Sequence, residues 1–150
     1  MKSAQKDLKN MTALIDTNVV LDILLNRQPW YANAALIFGL SQNNLIKSYV
    51  SAASITDIFY IAQKEQGKAV AKDAIKRLLK VFYPATVTDE DIYQALNLGW
   101  EDFEDAVQFI VGDGLSVDFI VTRNTKDFNL SSIDIVTPEQ FIRAVTNMEN

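Results

Sequence analysis

Short apolar segments alternate with longer amphipathic stretches along most of the chain, and this alternation restricts the possible fold more than any other feature. Strand-like segments lie at 12–15, 47–50, 85–87, 118–122 and 134–136, and helical stretches separate most of them. Strands separated by helices pair in parallel through right-handed crossovers. The sequence therefore predicts an α/β domain of three layers, α/β/α, with a central parallel sheet of about four to five strands.

The spacing of apolar residues also predicts where the helices lie. The predicted helices span 18–25, 30–41, 55–64, 68–82, 89–98 and 103–111, and a last helix opens at Thr137 and Pro138. Gly99 is expected to end the fifth helix, and Gly112 and Gly114 the sixth. The chain of 150 residues is long enough for one domain, which we place at 11–147, after a loose and polar extension at 1–10.

The composition removes several classes of chemistry, because the chain contains neither Cys nor His. Disulfides, thiol nucleophiles and imidazole bases are excluded, as are zinc sites that need those ligands. Carboxylates are left as the main reactive groups, and they favour a hard metal ion with oxygen ligands. No apolar segment is long enough for a membrane span and no secretory signal is recognisable, so we expect a cytoplasmic protein without a membrane partner.

Charge is segregated along the chain, although the net charge is only −5. Six of the 14 basic residues lie between positions 64 and 80, and most of them are spaced by four: Lys64, Lys68, Lys72, Lys76, Arg77 and Lys80. On a helix this spacing gives a stripe that could follow a phosphate backbone, but a solvated helix face explains it equally well. Residues 81–122 contain no Lys or Arg and nine acids, of which three follow Thr88 as at a helix start.

Acids follow or flank the predicted strands at several points. Asp16 directly follows the first strand, Asp57 follows the second, Asp105 opens a helix before the fourth, and Asn124 and Asp127 follow the fourth. Each has a simple structural explanation, such as a helix cap at Asp16 or a capping box of Ser54 and Asp57. The carboxyl ends of parallel strands meet at one edge, however, where several carboxylates would repel one another unless a cation neutralised them. Oxygen ligands favour Mg²⁺ or Mn²⁺, and a metal-bound water could serve as the nucleophile in phosphodiester hydrolysis.

Four segments follow one another along the chain: Leu14-Ile-Asp-Thr-Asn-Val-Val-Leu-Asp22, Ser54-Ile-Thr-Asp57, Asp102-Phe-Glu-Asp-Ala-Val-Gln108 and Ile120-Val-Thr-Arg-Asn-Thr-Lys-Asp-Phe128. In this order they resemble the PIN-domain nucleases, in particular the bacterial group of VapC-type toxins, and the resemblance extends over about 12–144. It implies a PIN-like fold and a Mg²⁺- or Mn²⁺-dependent endoribonuclease. Asp16, Asp57 and Asp105 match the three acids that act as catalytic residues and metal ligands in the family.

The resemblance also implies roles for neighbouring positions. Asp57 stands where many relatives have Glu, and Asn124 where relatives often carry a fourth acid, so Asp102 and Asp127 are candidates for additional metal ligands. Residues that could hold the acids or a metal-bound water are Thr17, Asn18, Ser54, Thr122 and Asn124. Arg123 is placed to meet a phosphate or, alternatively, to pair with a neighbouring acid. We add the lysine stripe, namely Lys64, Lys68, Lys72 and Lys76, as a separate candidate for binding RNA.

Proteins of this kind are commonly toxins that form homodimers and are inhibited by a cognate antitoxin, so RNA, an antitoxin and a second copy are the expected partners.

Two other functions remain open from the sequence. Because Asn124 replaces an acid, the alternative is a catalytically weak or inactive PIN-like module that binds RNA or protein. A receiver-like phosphoacceptor would use residue types such as Asp16, Thr122 and Lys126, but the acidic pair at the first strand is missing.

Overall fold

The computed structural model describes residues 10–128 and 133–148, except for the side chains of Asp127 and Met148. The predicted extension at 1–10 therefore lies almost entirely outside the described residues. The elements in chain order are β1 (Thr12–Ile15), α1 (Thr17–Leu24), α2 (Tyr31–Gln42), β2 (Lys47–Ser51), α3 (Ala52–Gln66), α4 (Lys68–Leu79), β3 (Tyr83–Ala85), α5 (Asp89–Asn97), α6 (Phe103–Leu115), β4 (Phe119–Val121), a 3-10 turn (Thr125–Asp127), β5 (Asp134–Val136) and α7 (Pro138–Met148).

The five strands form one parallel sheet in the order β3-β2-β1-β4-β5. The central strand β1 is apolar on both sides: Ala13 and Ile15 face one layer of helices, and Leu14 faces the other. Helices α1, α2, α3, α4 and α7 pack on the first face, and α5 and α6 pack on the second. The predicted three-layer α/β/α fold with a central parallel sheet is confirmed.

The pairing of β1 with β4 determines which residues meet at the carboxyl edge of the sheet. Ile15 lies opposite Val121, so both strands end at the same level. The pairing continues one step further, because the backbone N–H of Asp16 donates to the carbonyl oxygen of Val121 at 2.9 Å. Asp16 and Thr122 therefore emerge side by side at this edge.

Several helix starts follow the expected local chemistry. Thr88 and Asp91 form a capping box, in which the Asp91 N–H donates to Thr88 Oγ1 at 3.1 Å. The Gln140 N–H likewise donates to Thr137 Oγ1 at 3.1 Å, so Thr137 caps α7 ahead of Pro138. Gly99, with φ of +67°, follows the end of α5 as predicted.

The predicted end of α6 at Val111 is wrong, because the helix continues through both glycines to Leu115. Ser116, which has φ of +54°, follows as the C-cap residue of the helix. A Cβ atom at Gly112 would lie 3.3 Å from Val117 Cγ2 and from Ile120 Cδ1. Gly112 thus allows α6 to pack closely against β4 and does not act as a helix terminator.

Two predicted boundaries after α3 are displaced as well. Helix α4 ends at Leu79 and β3 occupies Tyr83–Ala85, where the sequence pattern indicates a helix to position 82 and a strand over 85–87. Phe82 is buried and its ring packs 5.8 Å from that of Phe38, so the apolar spacing of α4 continues beyond the helix. Pro84 lies within β3, which tolerates it because β3 is an edge strand.

None of the helices within 10–128 and 133–148 is both long enough and apolar enough to cross a membrane.

Candidate metal centre

Asp16 is the most buried acid at the carboxyl edge, with 5% of its surface exposed. Gln108 of α6 donates from Nε2 to Asp16 Oδ1 at 2.8 Å, and Thr122 donates from Oγ1 to Asp16 Oδ2 at 3.1 Å. These donors are 92 and 106 residues away in sequence. The tertiary fold, rather than a local turn, therefore fixes the orientation of this carboxylate.

The helix-cap explanation of Asp16 fails. Asp16 occupies the N-cap position of α1, but its side chain makes no capping hydrogen bond. Burial raises the pKa of Asp16, the hydrogen bonds from Gln108 and Thr122 partly offset this, and the negative charge of Asp102 raises the pKa further. A carboxylate that is shielded from solvent in this way is stabilised by a neighbouring cation.

Three more acids belong to one electrostatic group with Asp16: Asp102 and Glu104 interact with Asp16 itself, and Asp57 interacts with Glu104. Partial desolvation raises the pKa of Glu104, and the charges of Asp16, Asp102 and Asp57 raise it further. Asp102 caps α6, accepting a hydrogen bond from the Asp105 N–H at 3.0 Å, and Asp57 lies exposed in the second turn of α3. We call Asp16, Asp57, Asp102 and Glu104 the acidic cluster.

Glu104 is an addition to the acids that the sequence pattern indicates. It precedes Gln108 by four residues, which places both on the same side of α6. Since Gln108 contacts Asp16, this spacing is the signal that could identify Glu104, but it is informative only once the partner of Gln108 is known.

The other predicted acidic and amide positions have different environments. Asp105 lies in the first turn of α6 and is 8% exposed, so it belongs to the buried side of the helix. Asn124 is exposed, and its backbone N–H donates to Thr122 Oγ1 at 3.2 Å. Asn124 therefore orients the hydroxyl group that holds Asp16. Asp127 ends the 3-10 turn, and its side chain lies outside the described residues.

Hydroxyl groups at this edge also contribute polar atoms. Within the described part of the chain, the buried Thr17 Oγ1 and Ser51 Oγ have no hydrogen-bond partner. Ser51 is at the carboxyl end of β2 and Thr17 directly follows Asp16. Ser54 is buried inside α3, which begins at Ala52, so the interpretation of Ser54 and Asp57 as a capping box is wrong. Asn18, in contrast, is exposed on α1.

The chemistry of these oxygen atoms fits a divalent cation. The acidic cluster offers only oxygen ligands, its charges repel one another, and two buried hydroxyl groups at the same edge can bond to ligand water. Within residues 10–128 and 133–148, no group of three or more Asp or Glu side chains is arranged so that it could hold a metal ion. Mg²⁺ does not need such a group, because it commonly binds through one or two carboxylates and retains several waters.

Arg123 is held by two contacts beside this edge. Its Nε lies 3.1 Å from Asp22 Oδ2, and its Cζ lies 3.9 Å from the centre of the Trp30 ring. Asp22 is fully buried on α1; burial raises its pKa, and the charges of Arg123 and Arg27 lower it. The sequence leaves open that Arg123 pairs with an acid but does not identify Asp22 as that acid, although an acid inside the apolar segment 19–25 is a signal of a buried partner.

The predicted lysine stripe is divided between two helices. Gly67, with φ of +88°, separates α3 from α4, so Lys64 lies on α3 with its Nζ 5.2 Å from the Tyr60 ring centre. Lys68, Lys72 and Lys76 are exposed and follow one side of α4. A single continuous stripe over these four lysines is therefore wrong, and only the α4 part keeps the helical spacing.

The parallel sheet, with the buried Asp16 and exposed acids near it at the carboxyl edge, places the chain in the class of three-layer α/β/α domains, and comparison with known proteins identifies the family. The PIN domain family model matches residues 12–126, so the chain belongs to the PIN-domain family. A comparison with curated proteins finds no match.

Solved structures share the fold at low sequence identity. A toxin–antitoxin complex from Klebsiella pneumoniae aligns with a TM-score of 0.62 and 21% identity, over 84% of this chain and 97% of that chain. VapBC-1 from nontypeable Haemophilus influenzae gives 0.66 and 15%, over 86% and 99%. Mycobacterium tuberculosis VapC20, a toxin that cleaves the sarcin–ricin loop, gives 0.63 and 15%, over 77% and 92%.

Proposed function

We propose that this chain is a Mg²⁺- or Mn²⁺-dependent endoribonuclease that hydrolyses RNA phosphodiester bonds at the acidic cluster. The observation that supports this most directly is Asp16, a buried carboxylate whose two oxygens are fixed by Gln108 and Thr122 beside three further acids. A surface helix cap has no need of such an arrangement. Membership of the PIN-domain family supports the same activity.

The residues have separate tasks in the proposed reaction. Asp16 would hold the metal together with other members of the acidic cluster, and Asp105 is the further ligand that the family resemblance implies. A bound divalent ion supplies charge stabilisation at the phosphoryl group and activates water. Gln108 and Thr122 keep the Asp16 oxygens oriented before substrate arrives, so little reorganisation is needed during the reaction. Asn124 supports Thr122 through its backbone N–H.

We also propose that the chain is the toxin of a toxin–antitoxin pair. The solved structures that share its fold include the toxin–antitoxin complex from K. pneumoniae and VapBC-1, and VapC20 is described as a toxin that cleaves the sarcin–ricin loop. The proposed partners are therefore an RNA substrate, a cognate antitoxin and a second copy of the chain.

The activity can be tested by incubating purified protein with a panel of single-stranded and structured RNAs in Mn²⁺, Mg²⁺ or EDTA. We expect cleavage with metal, no cleavage in EDTA, and a loss of at least about a hundredfold in Asp16→Asn and Glu104→Gln. Asp113→Asn is the matched control, because Asp113 is an exposed acid at the other end of α6. RNA binding without cleavage under any metal would instead support the non-catalytic binding module.

A further inference from the structure

A small cavity lies beside Arg123, outside the acidic cluster. Its volume is about 230 Å³, and it is open to solvent. The residues that line it combine flat apolar groups with polar ones: Pro29, Trp30, Asn33, Arg123, Pro138 and Glu139. We call this space the Trp30 cavity.

Trp30 forms a rigid aromatic wall of the cavity. Its side chain is large and apolar, yet 42% of the residue remains exposed. The guanidinium of Arg123 stacks 3.9 Å from the ring centre and is itself anchored by the fully buried Asp22. Because the buried acid holds Arg123, the stacked pair is oriented before any ligand binds.

The chain that follows β4 connects the Trp30 cavity with the acidic cluster. Thr122 donates to Asp16, and Arg123 is the next residue, so its Cα lies only about 3.8 Å along the chain. The negative charge of Asp16 also raises the pKa of Asp22. Asp22, which holds Arg123, therefore lies close enough to the acidic cluster to interact with it electrostatically. A ligand that reaches both sites would thus be extended along one edge of the sheet.

We propose that the Trp30 cavity binds one unpaired base of a single-stranded RNA whose neighbouring phosphodiester lies at the acidic cluster. This inference rests on the proposed ribonuclease function. Trp30 and the two prolines offer flat apolar surfaces for stacking, which contributes substantially to single-strand binding. The positive charge of Arg123 favours the adjoining phosphate.

The polar lining indicates which bases fit. The Glu139 carboxylate is an acceptor only, and its Oε1 already accepts from Arg143 Nη2 at 2.9 Å, which leaves Oε2 for a ligand. The Asn33 side chain offers both a donor and an acceptor. A base with an exocyclic amino group can donate to Glu139, whereas the one ring donor of uracil, N3–H, lies between two carbonyl oxygens that repel a carboxylate. The cavity therefore prefers cytosine, adenine or guanine to uracil.

The test uses Trp30 as its own reporter. Trp100, the second tryptophan of the chain, is replaced in Trp100→Phe, and Asp16→Asn is added so that RNA remains intact in Mg²⁺. Tryptophan fluorescence is then titrated with hexamers of cytidine or uridine and with inorganic polyphosphate. We expect saturable quenching by RNA, tighter for oligocytidine, and none by polyphosphate. Equal quenching by polyphosphate, or no quenching by any RNA, would overturn the proposal.

A second measurement compares RNA affinity by fluorescence anisotropy of labelled oligocytidine. Trp30→Leu is expected to weaken binding by roughly five- to a hundredfold. Tyr83→Leu is the matched control. Tyr83 is also exposed beneath a cation, with Lys47 Nζ 4.6 Å from its ring centre, but it lies on the outer strand β3, on the other side of β1 from β4. This substitution should leave the RNA affinity unchanged.

The two proposals fail in different ways. If RNA quenches Trp30 but no metal supports cleavage, the ribonuclease is refuted and the base site stands. If the parent chain cleaves RNA and Trp30→Leu does so with unchanged KM, the base site is refuted and the ribonuclease stands.

Discussion

Gln108 Nε2 lies 2.8 Å from Asp16 Oδ1, and this hydrogen bond joins the middle of α6 to the carboxyl end of the central strand. Both side chains are buried. Gln108 lies one turn after Glu104 and Asp105, which are in the first turn of α6. The bond therefore connects Asp16 with the helix that carries these acids. The orientation of Asp16 and the position of the α6 acids are therefore coupled.

Replacement of Gln108 tests this coupling. Gln108→Leu keeps a side chain of similar size but leaves Asp16 Oδ1 without its donor, so we expect the free energy of unfolding to fall by about 1–3 kcal/mol. RNA cleavage should fall as well. Urea denaturation and a cleavage assay measure the two effects. Gln94→Leu is the control, since its 3.3 Å bond to Glu90 is exposed and should contribute less than about 0.5 kcal/mol. Equal losses in the two variants would refute a special role for Gln108.

Asp16→Asn should have opposite effects on stability and on metal binding. Without metal, the buried carboxylate is an electrostatic cost, so its removal should raise both the free energy of unfolding and the Tm. With Mn²⁺, the parent chain should gain Tm with rising metal concentration and the variant should not. Thermal unfolding in EDTA and in Mn²⁺ checks both, with Asp113→Asn expected to follow the parent chain. A variant less stable than the parent in EDTA would contradict the prediction.

The stability difference between the parent chain and Asp16→Asn should depend on pH. The folded-state pKa of Asp16 is raised, so the destabilisation caused by its charge is fully present above that pKa. It disappears as the pH falls through the folded-state pKa towards the ordinary value of 3.8. The stability advantage of Asp16→Asn in EDTA should thus shrink on acidification. An advantage that is constant from neutral pH to below pH ~4 would argue against a raised pKa.

These residues also show how far the sequence determines the site. The ends of β1 and β4 follow from local apolar patterns, which is why Asp16 and Thr122 could be placed at one edge. The orientation of α6 is different, because adjacent helical residues point about 100° apart and a change of one position selects Glu104 or Asp105. That choice depends on long-range packing, as does the pairing of Asp16 with Gln108.

The ion pair of Asp22 and Arg123 should respond asymmetrically to substitution. Arg123→Met leaves the fully buried Asp22 carboxylate without its closest cation, which we expect to cost about 3–5 kcal/mol. Asp22→Asn should cost less, because the partly exposed Arg123 side chain can still reach water. The double variant should be more stable than Arg123→Met alone, and denaturant unfolding of the three chains gives the coupling energy. Additive losses would show that the two charges do not interact.

The two glycines of α6 give a prediction that depends directly on where this helix ends. Gly114 lies within the helix with open space around it, so Gly114→Ala should stabilise the protein by about 0.5–1 kcal/mol. Gly112→Ala would place a Cβ 3.3 Å from the buried side chains of Val117 and Ile120, which have little room to move, and should destabilise it. Thermal unfolding of both variants measures the difference. If α6 ended at Val111, as the sequence pattern indicates, Gly114 would lie outside the helix and Gly114→Ala would bring no helical stabilisation.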